Sequence, residues 1–416
     1  MTRSRSDVVK RMSPILCVGV LASLALVLTP ARTEAIPAFA RQFGVNCTTC
    51  HTPVPPRLNN VGITFKRMGY RMPDADDNGR LILKEKSSRG AFDDASLIAS
   101  FLAESHREES TTFKVDELMA MAGGAVGHHL SYTAGAMWEE GEFGLETLEG
   151  QVLLGRPTMN FTARFGLLKP LLWEKGSETA LGVTTSLLMA TPVPVGEFAG
   201  SPLGDTRLGI EGAVNFNHLG EGGASRNAFV AVSLFDRNSP GAAAEGGMGA
   251  PTSEAQPADT GLKDVMAQAM YLFGQSNTVG VLWSHGRVTG IGAEGFANRS
   301  DRWAVMGNYR FPFGTDLLAA VGFGRDVPTA MDLGTIKSRG WFVEVDQAIG
   351  SRTVALVRYD RFEPDRSRSD LTLSGPTVSL THHLLDHLLL TAEYQGLQRD
   401  GETRSQDLFF RAIVAY

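Results

Sequence analysis

The sequence predicts an all-β fold, an antiparallel outer-membrane β-barrel of about 16 strands with a short N-terminal α-helical segment. Three observations predict this fold. Short segments that alternate apolar with small or polar residues recur from about residue 93 to the C-terminus. No stretch beyond the N-terminal leader is apolar over the ~18 residues that a membrane-spanning helix needs. The last segment is an alternating apolar row that ends on an aromatic residue.

The alternating segments are the candidate barrel strands. Each places apolar residues on one face and small or polar residues on the other, the pattern of a strand with one wet face. No helical stretches intervene, which excludes a βαβ fold. The pattern gives about seventeen candidates, and one of them must lie outside the wall because bacterial barrels have even strand numbers. Clear examples are 130–138, 159–167, 208–216, 265–273 and 303–311.

Connection lengths identify the segment that is not a wall strand. Short and long connections are predicted to alternate strictly, as periplasmic turns and extracellular loops do. The short ones are 274–277, 312–315, 349–352 and 384–387, and the long ones lie near 289–299, 326–337, 362–369 and 398–406. The Gly-, Ala- and Pro-rich stretch 237–262 is then extracellular only if 180–190 is not a strand. This leaves 168–205 as a long third outer loop, which by analogy with porins folds inward.

The C-terminal strand carries the most specific barrel pattern. Its apolar row consists of Leu408, Phe410, Ala412, Val414 and the terminal Tyr416. This row resembles the pattern by which outer-membrane barrels are recognised for insertion. The terminal strand of a soluble β-sandwich also alternates but rarely stops on an aromatic residue. Trp and Tyr residues near the strand ends are expected to form girdles at the membrane interfaces.

Residues 1–35 have the three parts of a cleavable signal peptide. Basic residues precede an apolar stretch, 15–28, that is too short to span a membrane. Thr33, Glu34 and Ala35 then provide small residues at the −3 and −1 positions of a cleavage site. We therefore predict export with cleavage after Ala35.

Charge and composition exclude further classes of protein. Cleavage removes five basic and two acidic residues, so the formal charge changes from −6 to −9. An acidic exported chain is a poor nucleic-acid binder, and its charge attracts cations. The 46 glycines show no three-residue period, which excludes collagen.

The mature chain keeps two cysteines, both in the run Cys47-Thr48-Thr49-Cys50-His51. This C-x-x-C-H pattern is that of c-type haem attachment. Two thiols three residues apart reach the two vinyl groups of one porphyrin, and the imidazole of His51 then lies over the iron as the proximal ligand. The sequence thus predicts one covalently attached c-type haem.

Three other uses of the motif fit less well. A disulfide across two intervening residues closes a very tight ring and needs no following histidine. A zinc site wants further Cys or His ligands, and residues 52–105 contain neither. A thioredoxin-like motif sits in a βαβ context, which is absent from this pattern.

The haem segment is predicted to span residues 36–72, followed by a linker, 73–92, and the barrel, 93–416. Leu58, Val61, Phe65 and Met68 share one face of a predicted helix over 58–69. About forty residues cannot bury a haem and a core of their own. The segment must therefore pack against the barrel, whose wide lumen it can fill.

The sixth ligand of the haem iron is open in the sequence. Met68, on the apolar helix face, is the first candidate, and its alternative role is to pack on the porphyrin. Met72, His106, His128 and His129 are further candidates, and open coordination is another alternative. No catalytic residue is predicted.

The N-terminal run resembles a known family. Residues 36–44, the C-x-x-C-H motif, residues 56–59 and residues 62–70 look like the fused outer-membrane monohaem cytochrome c–porins, whose best-known members are the outer-membrane iron oxidases of iron-oxidising bacteria. The resemblance covers the haem segment in detail and the barrel in length and pattern only. Phe43 replaces a usual Thr, and 52–55 reads Thr-Pro-Val-Pro. The resemblance implies electron transfer more firmly than it implies iron as the donor.

The sequence leaves three candidate functions open. The first is a conduit that carries electrons across the outer membrane, from an extracellular donor such as Fe(II) to a periplasmic c-type cytochrome. The second is the same conduit run outward, as a terminal reductase. The third is a diffusion porin whose haem segment is a periplasmic sensor. Acidic residues of the predicted outer loops either attract a cationic donor or are merely solvated; they are Glu139, Glu140, Glu142 and Glu178.

Overall fold

The structure is a computed structural model in which residues Ile36–Tyr416 form one compact unit. It describes residues 38–52, 57–75, 81–84, 95–106, 111–139, 142–170, 172, 181–195, 198–199, 202–218, 225–236, 262–291, 296–329, 334–385, 387–400 and 405–415. The predicted signal peptide, 1–35, lies outside the described residues.

Sixteen long antiparallel strands close into a barrel, which confirms the predicted fold class. The strands are β1 Ala95–His106, β2 Thr112–Val126, β3 Leu130–Glu139, β4 Glu142–Arg156, β5 Met159–Leu168, β6 Arg207–Phe216, β7 Ser225–Asp236, β8 Leu262–Gly274, β9 Asn277–Ile291, β10 Phe296–Arg310, β11 Thr315–Pro328, β12 Ile336–Ile349, β13 Thr353–Glu363, β14 Leu373–Leu385, β15 Leu388–Gln395 and β16 Asp407–Ala415. The barrel closes between β16 and β1, where Asp407 is paired with His106 and Ala415 with Ile98.

The two ends of the barrel differ in their connections. One end, called the short-turn end here, carries 127–129, 157–158, 217–224, 275–276, 311–314, 350–352 and 386–387. The other, the long-loop end, carries 107–111, 140–141, 169–206, 237–261, 292–295, 329–335, 364–372 and 396–406. Bacterial barrels have short periplasmic turns and longer extracellular loops, so the short-turn end corresponds to the periplasmic end of such barrels.

The predicted strict alternation of short and long connections is wrong in detail. The long connection expected near 289–299 is reduced to four residues, because β9 continues to Ile291 and β10 begins at Phe296. Both strands have 15 residues, more than the ~9–11 that cross a bilayer. The polar composition of this region therefore reflects strands that extend beyond the membrane rather than a loop.

The wall has an apolar outer face and a polar inner face. Ile210, Val232 and Val305 on the outside are 46%, 51% and 45% exposed. Their neighbours along the strands point inward, and Glu211 and Ser233 are 4% and 1% exposed. The alternation predicted from the sequence thus separates a lipid-facing row from a lumen-facing row.

The third loop of the long-loop end folds into the barrel, as predicted. Its described part contains the helix Leu187–Ala190 in place of a wall strand, which confirms that 180–190 lies outside the wall. Leu188 and Val195 are 2% and 0% exposed and belong to a lumen cluster with Phe342 of β12. Backbone amides of Val183 and Thr184 donate to the carboxylate of Glu393 at 2.7 and 2.9 Å.

The N-terminal segment contains two α-helices, α1 Ala38–Phe43 and α2 Asn60–Arg67, with a 3-10 turn at Cys47–Thr49 between them. The stretch predicted as a linker contains an antiparallel ribbon of Met72–Ala75 with Leu81–Lys84. Among the described residues, none of the helices is long and apolar enough to cross a membrane.

Candidate haem-attachment site

The C-x-x-C-H motif is folded as one tight turn. The backbone amides of Cys50 and His51 both donate to the carbonyl of Cys47, at 3.1 and 2.9 Å. Cys47, Cys50 and His51 are all half-buried, and no disulfide joins the two cysteines. The turn therefore keeps two thiols and the following imidazole together on a few residues of backbone.

Asn59 fastens this turn to α2. Its backbone amide donates to the Cys50 carbonyl at 2.8 Å, and its side-chain amide donates to the Thr49 carbonyl at 3.1 Å and to the Thr52 hydroxyl at 3.2 Å. Its side-chain oxygen accepts from the amide of Gly62 at 3.0 Å and so caps the helix. The position of the motif is thus set by the same residue that starts α2.

Gly62 allows the close approach of helix and motif. A Cβ atom at this position would lie 2.5 Å from the Cys50 carbonyl oxygen, which the backbone does not tolerate. Neither Asn59 nor Gly62 is predicted from the sequence as a site residue. Asparagine followed three residues later by glycine is too common a pattern to indicate a contact with the motif.

An aromatic cluster adjoins the motif. Phe39 stacks on Tyr70 with ring centroids 4.9 Å apart, and Phe65 meets Phe43 edge-on at 5.4 Å. Cys50 packs against this cluster. Burial, with a smaller contribution from the charge of Cys47, raises the pKa of Cys50 to about 11. Cys50 is therefore a neutral thiol at neutral pH.

These residues fit a c-type haem by their chemistry. Two thiols within one turn and an adjacent imidazole are the groups that attach a c-type haem and bind its iron, and the apolar cluster beside Cys50 suits the apolar faces of a porphyrin. Within the described part of the chain, no group of three or more His, Cys, Asp or Glu side chains is arranged to hold a metal ion.

The segment lies in the lumen at the short-turn end. The side-chain amide nitrogen of Asn60 lies 3.1 to 3.2 Å from three carbonyl oxygens that flank the β8–β9 turn, those of Phe273, Gly274 and Asn277. The Asn60 backbone amide donates to Gln275 of the same turn at 3.1 Å. The start of α2 is thus fixed to a turn of the wall.

The other end of α2 is held by a buried ion pair. Arg67 donates to Glu211 and to Asn215 of β6, both at 3.0 Å, and its guanidinium lies 4.2 Å from the ring centre of Phe229. The Arg67 carbonyl accepts from Gln151 of β4 at 2.9 Å. Arg67 is 3% exposed. Removing one partner of such a pair leaves an uncompensated buried charge.

A second buried arginine fixes the chain before α2. Arg57 is 1% exposed and forms ion pairs with Glu344 and Asp346 of β12. Burial alone would lower the pKa of Arg57, but the two carboxylates outweigh burial and raise it. The segment therefore carries a positive charge at the point where it contacts acidic residues of the lumen wall.

Met68 packs into the wall of the barrel. It is 0% exposed, and its sulfur accepts from the side-chain amides of Asn160 at 3.3 Å and Asn217 at 3.6 Å. As a haem ligand, Met68 would have to give up both contacts, so that role stays a prediction. Met72 lies in the apolar cluster against which Cys50 packs, and its role as a ligand also stays a prediction.

The three candidate histidines lie at different ends of the barrel. His106 is at the long-loop end, where its Nδ1 is 2.8 Å from Asp407. Ala95, at the opposite end of the same 12-residue strand, accepts a hydrogen bond from Arg41 of the segment. A strand of this length spans ~35 Å, so His106 is too far from the motif to be its ligand. His128 and His129 are in a turn of the short-turn end, and the Nδ1 of His129 is 2.9 Å from the Leu153 carbonyl oxygen.

Two of the acidic residues expected to attract cations lie at the long-loop end. Glu139 and Glu142 are paired across β3 and β4 next to the 140–141 connection. Glu140 and Glu178 lie outside the described residues.

Solved structures that the chain resembles are outer-membrane porins. It is similar to the anion-selective porin from Comamonas acidovorans, with a TM-score of 0.53 and 12% identity over 77% of this chain and 98% of that one. It is also similar to OmpF of Salmonella typhi in complex with daunomycin, with a TM-score of 0.52 and 10% identity over 78% of this chain and 97% of that one. No protein-family model and no curated protein sequence matches the chain.

At these identities the likeness shows the fold alone. The chain is a porin-like β-barrel. The cytochrome segment and the oxidation of iron that the family resemblance implies stay predictions.

Proposed function

We propose that this protein is an outer-membrane electron-transfer protein, in which a porin-like barrel holds a c-type haem on a segment that closes its lumen. The observation that carries the proposal is the position of the C-x-x-C-H motif. It belongs to a segment that two buried arginines, Arg57 and Arg67, tie to carboxylates inside the barrel. A porin that serves diffusion alone has no use for such a motif inside its lumen.

Each residue of the motif has a separate task in this proposal. Cys47 and Cys50 would hold the porphyrin by thioether bonds, and His51 would bind the iron. The haem would supply one-electron redox chemistry. The aromatic cluster of Phe39, Phe65 and Tyr70 would exclude water from the haem. Asn59, which binds both the turn and the start of α2, would fix the position of the motif relative to the helix.

The filled lumen argues against a diffusion porin. Lumen-facing side chains all round the barrel are buried, among them Gln151, Gln268, Glu344 and Glu393, which are 1%, 3%, 0% and 2% exposed. The N-terminal segment covers these chains at the short-turn end and the third loop covers them towards the long-loop end. We therefore expect low ion conductance.

The position of the motif in the barrel indicates from which side the electron acceptor and the electron donor would approach. Because the short-turn end faces the periplasm, a periplasmic c-type cytochrome is the expected electron acceptor. The extracellular donor approaches from the long-loop end, where Glu139 and Glu142 lie, and Fe(II) is the candidate of fitting charge.

The test is stopped-flow mixing of the purified ferric protein with Fe(II) while the haem absorption bands are recorded. We expect reduction within seconds, and its loss in the double variant Cys47→Ala/Cys50→Ala. A wild-type protein without any haem band after denaturing electrophoresis would overturn the proposal. Inertness to Fe(II), with fast oxidation of the ferrous protein by an extracellular acceptor, would reverse the direction of electron flow.

A further inference from the structure

A group of basic side chains lies on the outer face of the barrel near the long-loop end. It consists of Arg287 on β9, Arg299 on β10, Arg325 on β11 and Lys337 on β12, and is called the outer cationic row here. All four residues are exposed. Their neighbours along the strands, Val288, Asn298, Asp326 and Ser338, are buried in the lumen, so the row points away from the barrel.

The strand register brings the four cations together. Arg287 is directly opposite Arg299, and Arg325 is directly opposite Lys337. Because Arg325 is paired with Asp301, two residues along from Arg299, the two arginines are diagonal neighbours. Cβ atoms of directly opposite residues are ~5 Å apart, and diagonal neighbours are ~7 to 8 Å apart. The row is therefore one continuous patch across four strands.

One carboxylate lies within the patch, because Asp301 is directly opposite Arg325 and lies 2.7 Å from the ring of His285. Glu363, further along the wall, accepts from Arg339 and Arg361, both at 2.9 Å. Within the described residues, no ion pair joins a carboxylate to any member of the row. Like charges placed directly opposite each other destabilise a sheet. Four cations beside the single carboxylate of Asp301 leave the patch with a net positive charge, which an anion from outside the chain would balance.

Aromatic side chains place the row at the level of lipid headgroups. Outward-facing aromatic residues occupy the same strands two to four residues closer to the middle of the barrel. Trp303 and Phe323 among them are 57% and 51% exposed. Trp283 packs against Trp303 and Trp341 against Tyr359, with ring centres 6.0 and 5.8 Å apart. Such rings mark a membrane–water interface, so the cations stand just outside the apolar band.

We propose that the outer cationic row binds the phosphate groups of an anionic glycolipid in the outer leaflet. Arginine forks match phosphate oxygens in bidentate geometry, and three of the four members are arginines. The proposal rests on the outer-membrane location within the proposed function and is independent of the haem. A lipid phosphate is favoured as the ligand because the row faces the bilayer side of the wall and not the lumen.

The test compares lipid binding by purified wild-type protein and by the variant Arg299→Gln/Arg325→Gln, using native mass spectrometry with lipid A that carries two phosphate groups. The variant Arg156→Gln/Arg226→Gln is the matched control, since both residues are exposed at the short-turn end. Each of the two removed contacts is partly solvated and therefore weak, so we expect affinity to fall about 10-fold in the first variant. We expect the control variant and the charge-keeping variant Arg299→Lys/Arg325→Lys to bind lipid A more tightly than Arg299→Gln/Arg325→Gln does.

Three outcomes would overturn the proposal. The first is equal binding by wild type and Arg299→Gln/Arg325→Gln. The second is equal binding of dephosphorylated lipid A. The third is competition by inorganic phosphate at the lipid's own concentration, which would identify the ligand as a soluble anion. The haem content of the same samples is measured separately, so a protein that binds the lipid without haem would contradict the proposed function and leave this inference standing.

Discussion

Two parts of the chain enter the barrel lumen, and they are held there in different ways. The N-terminal segment is held at the short-turn end through its side chains, above all by Arg57 and Arg67. The third loop packs apolar side chains such as Leu188 in the lumen, and its polar contacts are made mostly by its backbone. Amides of Val183 and Thr184 donate to Glu393, and carbonyls of Thr184 and Thr185 accept from Arg358. The segment therefore depends on its own charged side chains, whereas the loop depends on charged side chains of the wall.

This difference indicates which insert carries the specific function. Backbone contacts tolerate many loop sequences and suit an element that narrows a pore. Side-chain ion pairs that are fully buried place one segment in one position. A redox group needs that kind of fixed position, and the C-x-x-C-H motif lies in the segment.

The largest effect is expected for Arg67→Met. The change leaves Glu211 without one of its buried cationic partners, which lowers stability by ~3 to 5 kcal/mol. The segment should therefore no longer be bound firmly in the lumen. Single-channel conductance in planar bilayers is expected to rise well above the wild-type value. Arg226→Met, on the exposed outer face, is the control and should conduct as the wild type does. Wild-type conductance in Arg67→Met would show that the segment does not close the pore.

A smaller effect on conductance is expected for Arg358→Met. The variant loses the bonds to Thr184 and Thr185 and leaves Asp360 without its arginine, so the third loop should loosen. The segment still closes the short-turn end, and conductance should stay near the wild-type value while protease cleavage in the loop becomes faster. If conductance rose in Arg358→Met as much as in Arg67→Met, the third loop rather than the segment would be the element that closes the pore.

Asn59→Ala is expected to weaken the haem site without opening the barrel. Loss of a helix cap costs ~1 to 2 kcal/mol, and here the motif loses its side-chain tie to α2 as well. The fraction of purified protein with covalent haem should fall. Asn46→Ala is the matched control, because Asn46 precedes the motif and makes no capping bond through its side chain. An equal fall in both variants would remove the special role of Asn59.

The smallest effect is expected for Met68→Leu. The swap nearly conserves volume and costs less than ~1.5 kcal/mol. Because the Met68 sulfur is held by two amides of the wall, the haem absorption spectrum should not change. Met72→Leu is the comparison, since Met72 lies in the cluster beside Cys50. A spectral change in Met68→Leu alone would restore Met68 as the sixth ligand.

The sequence predicted the wall because a strand with one apolar face has a local pattern. The rows that contain Ile210 and Val305 can be read without knowing any partner strand. The same locality explains the error at 289–299, where residues outside the membrane lose the apolar pattern while the strands continue. The bounds of α2 also came out close, 60–67 instead of 58–69.

The contacts that hold the segment in the lumen could not be predicted, since the residues that it contacts are distant in sequence. Arg57 and Arg67 find carboxylates more than a hundred residues away. The helix was expected to bury one apolar face, yet Asn60, Thr64 and Arg67 are buried too. A polar lumen accepts polar side chains that a hydrophobic core would exclude, and helical periodicity does not show which kind of wall surrounds a helix.

The most direct test of the central claim is the intact mass of the protein purified from outer membranes. We expect the mass of residues 36–416 plus one haem for the wild type, and the mass of the polypeptide alone for Cys47→Ala/Cys50→Ala. A wild-type mass that equals the polypeptide alone would contradict it.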